Sequence, residues 1–379
     1  KTHGNPFFVN QFLTMLYQEK IIRFSGNRKS WVWETSEIET LDVTDNVVDL
    51  LVYRLRHLPF ETQDAIRMAA CIGFQFDLKT LSLITGGFPE QIRNRIKPVL
   101  LEEMIVPAQI EEDPIHLPVY KSQKNTWFRF QHDRIQQAAY SLVDEEERKS
   151  IHIAIGKILL ESMPEDKVEE DVFDVLSHLN FAVESIDIPE ERTQLARLNM
   201  KAGLKAISTA AFEPAHTYLK MGLNLLPDHA WKTQYELTLG LYLGGIEAAR
   251  LTGRFEEMEY FFLGVCQHAR TPLEAGAAYK SQIRACMMQN KLTEAFDTAR
   301  EILNILGEKL PEAPTSKEIM SVLEETISFV GEKPVENLLE LPEMKDATKL
   351  MAMNILSEVV AAVFIGTPHL FPHLICKQV

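Results

Sequence analysis

The stretch Phe128-Arg-Phe-Gln-His-Asp-Arg-Ile-Gln-Gln-Ala-Ala-Tyr140 joins a predicted strand directly to a predicted helix. Its first residues alternate between apolar and polar side chains, which is typical of a half-buried strand. Beyond His132, apolar residues recur at helical spacing. Asp133 is expected to be the N-cap of this helix, with Gln136 as its capping-box partner. His132 therefore lies at a corner whose backbone is fixed on both sides, where it can be a structural hydrogen-bonding residue or can contact a ligand.

The segment before this junction predicts several helices and a long-tipped hairpin. Thr44 or Asp45 is expected to begin a helix that ends near Leu58, and further helices are predicted over residues 60–71, 78–84 and 89–104. Pro98 should kink or split the last of these helices. Strands at 105–106 and 126–130, joined by a polar loop, complete the pattern expected of a winged-helix domain.

The N-terminal residues predict a helix followed by a small hairpin. Gly4-Asn5-Pro6 precedes an apolar helical pattern, and proline suits the first helical position. The segments Lys20–Phe24 and Ser30–Glu34 alternate around a Ser-Gly-Asn turn, which predicts a β-hairpin.

After Asp144 the pattern is wholly helical and contains an internal repeat. Similar segments begin at Phe212, Phe255 and Leu292, at spacings of 43 and 37 residues. Tetratricopeptide (TPR) repeats have a period of about 34 residues, so the spacings indicate TPR-like helical hairpins with insertions. An irregular helical bundle is the alternative. The predicted fold class is mainly α: a winged-helix domain with small β-hairpins, followed by a TPR-like α-superhelix in which residues 351–364 form a buried helix.

Composition limits the classes of function. The formal net charge is −15 and the pI is about 5.3, which argues against a general nucleic-acid binder. The four cysteines are far apart in sequence, so a disulfide framework or a zinc site is not expected and a reducing cytoplasm fits best. The longest apolar run, 359–365, is too short to span a membrane. Because the chain begins with Lys1 and ends beside an apolar stretch, we expect it to be part of a longer protein.

No complete catalytic motif is present in the sequence. The nearest approach to a phosphate-binding P-loop, Gly73-Phe-Gln-Phe-Asp-Leu-Lys79-Thr80, has one residue too many and lacks the second glycine. Kinase and hydrolase signatures are absent as well. His369 and His373 share a helical spacing but have no third metal ligand nearby in sequence. The chain is therefore not expected to hydrolyse ATP or to hold a metal.

Two motifs together resemble the STAND family of signal-transducing P-loop ATPases. Gly4-Asn5-Pro6 resembles the G-x-P motif that closes the ATPase core, and His132-Asp133 resembles the motif at the end of the family's winged-helix domain. Their order, followed by helical repeats, matches the family over nearly the whole chain. The resemblance implies that His132 reads the phosphate of bound ADP, and that Pro6, with Gly4, lies near the adenine.

Other segments narrow the resemblance to very large bacterial signalling proteins. Residues 44–51, 54–59, 69–73 and 130–140 are similar to the region after the ATPase core in proteins that carry a serine/threonine kinase, helical repeats, a GAF domain and a phosphorelay histidine kinase. This implies three segments: 1–43, the end of the ATPase core; 44–143, the winged helix; and 144–379, the repeats.

The same resemblance implies the partners and cofactors. The ATPase core upstream and the signalling domains downstream would be partners within one chain, and the repeats would bind a protein or a small molecule. ATP or ADP would bind the parent protein, while this segment alone would hold no cofactor. The leading hypothesis is a regulatory segment that couples nucleotide state to kinase output. The alternatives are a DNA-binding regulator, suggested by Arg93, Arg95 and Lys97, and an enzyme in its own right.

Overall fold

A computed structural model describes residues 4–27, 29–40, 47–108, 127–163, 168–312, 314–331 and 343–378. The chain divides into two compact units, Lys1–Asp187 and Ile188–Val379. Helices dominate both units, and the strands found among the described residues are short and lie in the first unit. The predicted mainly α fold class is therefore confirmed.

The first unit opens with a capped helix, α1 (Pro6–Gln18). The Asn5 side chain accepts a hydrogen bond from the backbone N–H of Phe8 at 3.1 Å, and Pro6 occupies the first helical position as predicted. The predicted hairpin is present but shorter: β1 (Arg23–Ser25) pairs antiparallel with β2 (Ser30–Val32). A short helix, α2 (Thr35–Thr40), follows. The predicted caps Thr44 and Asp45 lie outside the described residues.

Five helices of the first unit surround one apolar core: α3 (Val47–Arg56), α4 (Phe60–Ile72), α5 (Leu78–Thr85), α6 (Pro89–Leu101) and α7 (Asp133–Ser141). The expectation that Pro98 splits the fourth predicted helix is wrong, because α6 runs through it. Proline removes one backbone hydrogen bond, to the carbonyl of Asn94. Asn94 is exposed, so water can satisfy that carbonyl, and buried Ile96 and Val99 hold the helix against the core on both sides of Pro98.

A three-stranded antiparallel sheet completes this core. Its strands are β3 (Gln75–Asp77), β4 (Ile105–Pro107) and β5 (Trp127–Phe130), in the order β3-β5-β4. The sequence predicted β4 and β5 but not β3. In the registers, Phe76 lies opposite Phe128 and Ile105 lies opposite Phe130. Phe76 is fully buried, with its ring centroid 5.7 Å from that of Phe130.

The first unit continues beyond the residue at which the repeats were predicted to begin. It contains α8 (Glu145–Ser162), α9 (Val168–Leu179) and a short 3-10 turn at Val183–Ser185. Apolar side chains of α8 pack with Cys71 of α4 in a small separate core. The predicted limit at residue 144 therefore falls inside a compact unit, and the three-segment division stays a prediction.

The second unit begins with three helical hairpins. Their helices are α10 (Pro189–Ser208), α11 (Phe212–Leu225), α13 (Tyr235–Leu251), α14 (Phe255–His268), α15 (Pro272–Met288) and α16 (Leu292–Ile305), and the short helix α12 (Ala230–Thr233) lies between the first two hairpins. The hairpins are α10 with α11, α13 with α14, and α15 with α16. The second helix of each begins at the residue from which the sequence repeat was aligned, and each is 14 residues long. The TPR-like repeat is confirmed.

The three hairpins also share one turn. Ala210, Gly253 and Asn290 each adopt a left-handed backbone, with φ of 60°, 72° and 58°. The next residue's backbone N–H then donates to a carbonyl five residues earlier in the first helix, at 2.8–2.9 Å. This bond satisfies a carbonyl that a helix end would otherwise leave unpaired. The repetition of one turn explains why the sequence periodicity survives the unequal spacing.

Three further α-helices follow in the part of the second unit that the structure describes: α17 (Ser316–Val330), α18 (Ala347–Gly366) and α19 (Phe371–Gln378). Among the described residues, α18 is the one helix long and apolar enough to cross a membrane, judged by length and composition. Its side chains Ile355, Val359 and Val363 are fully buried in the core shared with α15 and α16. The predicted buried helix over residues 351–364 is therefore present and has the neighbours it requires.

Candidate functional site

The central strand of the sheet fixes the backbone that leads to His132. The backbone N–H of Phe130 donates to Phe74 O at 3.0 Å on one side of β5. The N–H of Gln131 donates to Met104 O at 3.0 Å on the other side. The strand is therefore held by both neighbours up to the residue before His132, and α7 begins immediately after it.

The start of α7 differs from the prediction by one residue. His132, not Asp133, is the N-cap, and Asp133 is the first helical residue. The backbone N–H of Arg134 lies 2.7 Å from Asp133 Oδ1 and 3.2 Å from His132 Nδ1, and the nearer, negatively charged carboxylate accepts its hydrogen bond. The Asp133 side chain thus performs the predicted task from inside the helix.

Gln136 is not the capping-box partner that the sequence suggested. Its Nε2 donates to Ala70 O of α4 at 3.1 Å, where that carbonyl lies near the end of the neighbouring helix. Ile135, Ala138 and Ala139 are fully buried on the same face of α7. Gln136 therefore ties α7 to α4 because burial of the apolar face turns it away from the cap.

Phe7 brings the two sequence motifs together. Its ring stacks on the His132 imidazole, with centroids 4.1 Å apart and an interplanar angle of 16°. Phe7 directly follows Pro6, and Gly4 precedes them with a φ of +76°, a conformation that favours glycine. All three residues predicted for nucleotide sensing therefore lie at one place in the first unit, although the sensing itself stays a prediction.

The two nitrogens of His132 have different surroundings. Nδ1 contacts Asp133 Oδ1, and two acceptors at contact would repel, so we assign the proton to Nδ1. No hydrogen bond reaches Nε2 from any described residue, and the side chain is 41% exposed. A phosphate beside Nε2 would favour the imidazolium form, which donates from both nitrogens. In that form, His132 Nε2 can donate a hydrogen bond to an anion.

Arg54 anchors α1 to the rest of the unit, although no local pattern in the sequence indicates this role. Its side chain is 4% exposed. The guanidinium donates to Gln11 Oε1 of α1 and, at 2.9 Å, to Glu102 Oε2 beyond the end of α6. Phe8, Phe12 and other apolar side chains of α1 pack beside it against Leu50 of α3. The position of Phe7 over His132 therefore rests on a buried, charged crosslink.

A buried histidine pair lies at the other end of α7. Tyr140 Oη is 3.1 Å from His152 Nε2, and His152 Nδ1 is 2.8 Å from His178 Nδ1. The Nδ1–Nδ1 hydrogen bond requires one proton between two neutral rings. Burial, with a smaller contribution from the neighbouring His152 ring, lowers the pKa of His178 to about 4. Burial also lowers the pKa of His152, with a contribution from Arg148. The pair therefore links α7, α8 and α9 in its neutral form.

The P-loop look-alike does not form a phosphate cradle. Asp77 caps α5, accepting from Thr80 N at 3.0 Å and from Thr80 Oγ1 at 2.7 Å. An acidic side chain thus occupies the helix N-terminus where a phosphate would have to bind. Within the described ranges, no group of three or more His, Cys, Asp or Glu side chains could hold a metal ion.

The chain is similar to parts of longer known proteins. No family model matches the chain. Over 353 residues, which cover 81% of this chain, it is 28% identical to hybrid signal transduction histidine kinase G of Dictyostelium discoideum. A solved structure, a STAND protein with a tetratricopeptide repeat sensor from Pyrococcus horikoshii, is 13% identical with a TM-score of 0.31, and the match covers 90% of this chain and 50% of that one.

The match to the Dictyostelium kinase bears on the class of protein. The chain spans 10% of the length of the Dictyostelium kinase. The sequence similarity to this kinase relates the chain to signal-transduction proteins, in agreement with the resemblance found in the sequence. It leaves the predicted bacterial origin and the exact domain architecture as predictions.

Proposed function

We propose that the chain is a regulatory and interaction segment of a multidomain signal-transduction protein. It would couple the nucleotide state of an upstream P-loop ATPase core to a downstream kinase output. The observation that supports the proposal is the stacking of Phe7 on His132, because it joins the Gly4-Asn5-Pro6 segment to His132 at one partly exposed position. The similarity to a histidine kinase supports the class of output.

The coupling would act through a contact that exists in one nucleotide state. With ADP bound to the core, a phosphate oxygen would accept a hydrogen bond from His132 Nε2, and Pro6 would lie beside the adenine. Exchange for ATP would remove or weaken that contact. A ligand shifts an equilibrium only through such a difference in affinity between two states. The first unit would therefore stay in contact with the ATPase core while ADP is bound, and it would be released from the core after exchange for ATP.

We also propose that α4 to β5 form a winged helix. The order helix, strand, helix, helix, strand, strand supports the assignment, as does the β3-β5-β4 order of the sheet. This domain would move relative to the ATPase core when the bound nucleotide changes. It would not hydrolyse ATP itself, because the sequence has no phosphate-binding loop.

The proposal is tested by kinase output in a longer protein that includes the ATPase core and the kinase. His132→Ala should raise basal autophosphorylation in the presence of ADP, because the restraining contact is lost. His369→Ala is the matched control, since His369 is also exposed but lies in the second unit. Equal basal output from His132→Ala and the wild type would refute the coupling.

The DNA-binding alternative has weaker support. Arg95 Nε lies 3.9 Å from Glu61 Oε2, so one of the three cations suggested for DNA is already beside a carboxylate. The net charge of −15 opposes the approach of a polyanion. Binding to duplex DNA that weakens steeply with salt would favour this alternative.

A further inference from the structure

A cleft of about 570 Å³ opens in the second unit between α11 and α14. These are the second helices of two successive hairpins, and Thr238 and Tyr242 of α13 form its floor. The segment 226–231, which includes the start of α12, forms one end. It belongs to the insertion that lengthens this repeat to 43 residues. The volume is in the range of known ligand sites, which is about 300–1,000 Å³.

Aromatic rings line the cleft. Trp231 lies 4.9 Å from Tyr242 between ring centroids, and Tyr242 lies 6.4 Å from Tyr260. His268 stacks on Trp231 at 4.6 Å and holds the indole in place. Burial raises the pKa of Tyr242 to about 12, with a further contribution from its hydrogen bond to Tyr260, so the Tyr242 hydroxyl stays neutral. Tyr260 is 65% exposed, so its ring is accessible to a ligand.

The charges around these rings are mostly negative. Lys220, Asp228, Glu256 and Glu257 line the cleft. Lys220 Nζ is held by Glu257 Oε1 at 2.6 Å, and His216 Nε2 reaches the other oxygen of Glu257 at 2.5 Å. Asp228 and Glu256 are exposed and have no ion pair with any described residue. Two uncompensated carboxylates therefore face a set of aromatic rings.

We infer that this cleft binds a lysine- or arginine-bearing segment of a protein partner. Aromatic faces attract cations through the ring quadrupole, and the carboxylates add charge complementarity. A peptide is favoured over a small metabolite because the cleft is open along Tyr260, Glu256 and Asp228, whereas small-molecule sites bury most of their ligand. The inference goes beyond the proposed nucleotide coupling, because it concerns other residues and requires no nucleotide.

The test measures binding of a fluorescein-labelled lysine–serine repeat peptide to the 379-residue chain by fluorescence anisotropy. A glutamate–serine peptide of equal length is the second probe. Asp228→Asn combined with Glu256→Gln should weaken binding of the lysine peptide about fivefold to tenfold. Tyr260→Leu should weaken it about threefold or more while leaving the charge unchanged. All three positions are exposed, so these changes should not prevent folding.

The matched control combines Glu324→Gln with Glu325→Gln, which removes the same charge from exposed positions on α17. It should leave the affinity within about twofold of the wild type, because neither glutamate lines the cleft and distant exposed charges are largely screened by salt. An equal loss in this control would show diffuse attraction to an acidic chain and overturn the inference. Equal binding of the glutamate peptide, or no binding of the lysine peptide, would also overturn it. None of these outcomes bears on ADP or kinase output.

Discussion

The ring of Phe7 lies nearly parallel to the imidazole of His132, with centroids 4.1 Å apart and planes inclined by 16°. The two residues come from different motifs, separated by more than a hundred positions in the chain. The contact sets the plane of the imidazole and hence the direction in which Nε2 points. A residue that follows the G-x-P motif therefore positions the residue proposed to read the phosphate.

Replacing Phe7 should weaken the first unit. In Phe7→Leu, the loss of ring stacking should lower the free energy of unfolding by about 1 kcal/mol. Urea denaturation followed by circular dichroism measures the change. Phe88→Leu is the control, since Phe88 is 74% exposed, and it should change stability by less than about 0.5 kcal/mol. Equal effects of the two changes would contradict a stabilising role for the stack.

Substitutions at two left-handed turn residues of the repeats should change the stability of the second unit in opposite directions. Ala210 has φ +60° and is exposed, so Ala210→Gly should stabilise the second unit by about 0.5–1 kcal/mol. Gly253 has φ +72° with no atom near an added Cβ, so Gly253→Ala should destabilise by a similar amount through backbone strain alone. Thermal unfolding monitored by calorimetry distinguishes the two. The same sign for both would show that the turns are not equivalent.

The buried histidine pair predicts a dependence of stability on pH. The pKa of His178 is lowered from 6.5 to about 4 in the folded protein. Between these values the unfolded state binds the extra proton, so stability is complete above pH 6.5 and falls as the pH drops towards 4. One such group contributes up to about 1.4 kcal/mol per pH unit.

His178→Asn tests this dependence, because the amide retains a hydrogen-bonding atom near the position of Nδ1 but does not titrate. Urea titrations at pH values from about 7 to about 5 should show a smaller slope of unfolding free energy in the variant than in the wild type. Identical slopes would show that His178 is protonated in the folded state or is not buried.

The contacts of Arg54 with α1 should contribute to the stability of the first unit. Arg54 contacts Gln11 and Glu102 from two separate guanidinium nitrogens, a spacing that the compact lysine ammonium does not reproduce, so Arg54→Lys should lower the free energy of unfolding by about 1–3 kcal/mol. Arg129→Lys, at an exposed position on β5, is the control and should have little effect. Denaturant unfolding checks both. A neutral Arg54→Lys would mean that apolar packing alone holds α1.

Local signals in the sequence predicted much of this fold. The helix starts at Phe212, Phe255 and Leu292 follow from apolar periodicity and from a common turn, which involve residues close together in the chain. Proline at position 6 likewise indicates the start of α1 through its own fixed φ. Such features depend on neighbouring residues, and a single sequence contains them.

Features that depend on distant residues were not predicted. β3 has three residues and becomes a strand only because β5, some fifty residues later, pairs with it. The Arg54 crosslink and the Phe7 stack require the packed core before their partners meet. For His132, the sequence predicted the corner between strand and helix correctly, but α7 begins one residue earlier than expected and His132 takes the N-cap position. The acidic aromatic cleft depends on α11, α13 and α14 together.

The most direct test of the central proposal is the affinity for ADP of a longer protein that contains the upstream ATPase core. Isothermal titration calorimetry should give a Kd for His132→Ala at least about tenfold weaker than for the wild type, as expected for a lost charge-assisted hydrogen bond. His369→Ala should bind ADP as the wild type does. An unchanged Kd for His132→Ala would contradict the proposal that His132 reads the nucleotide phosphate.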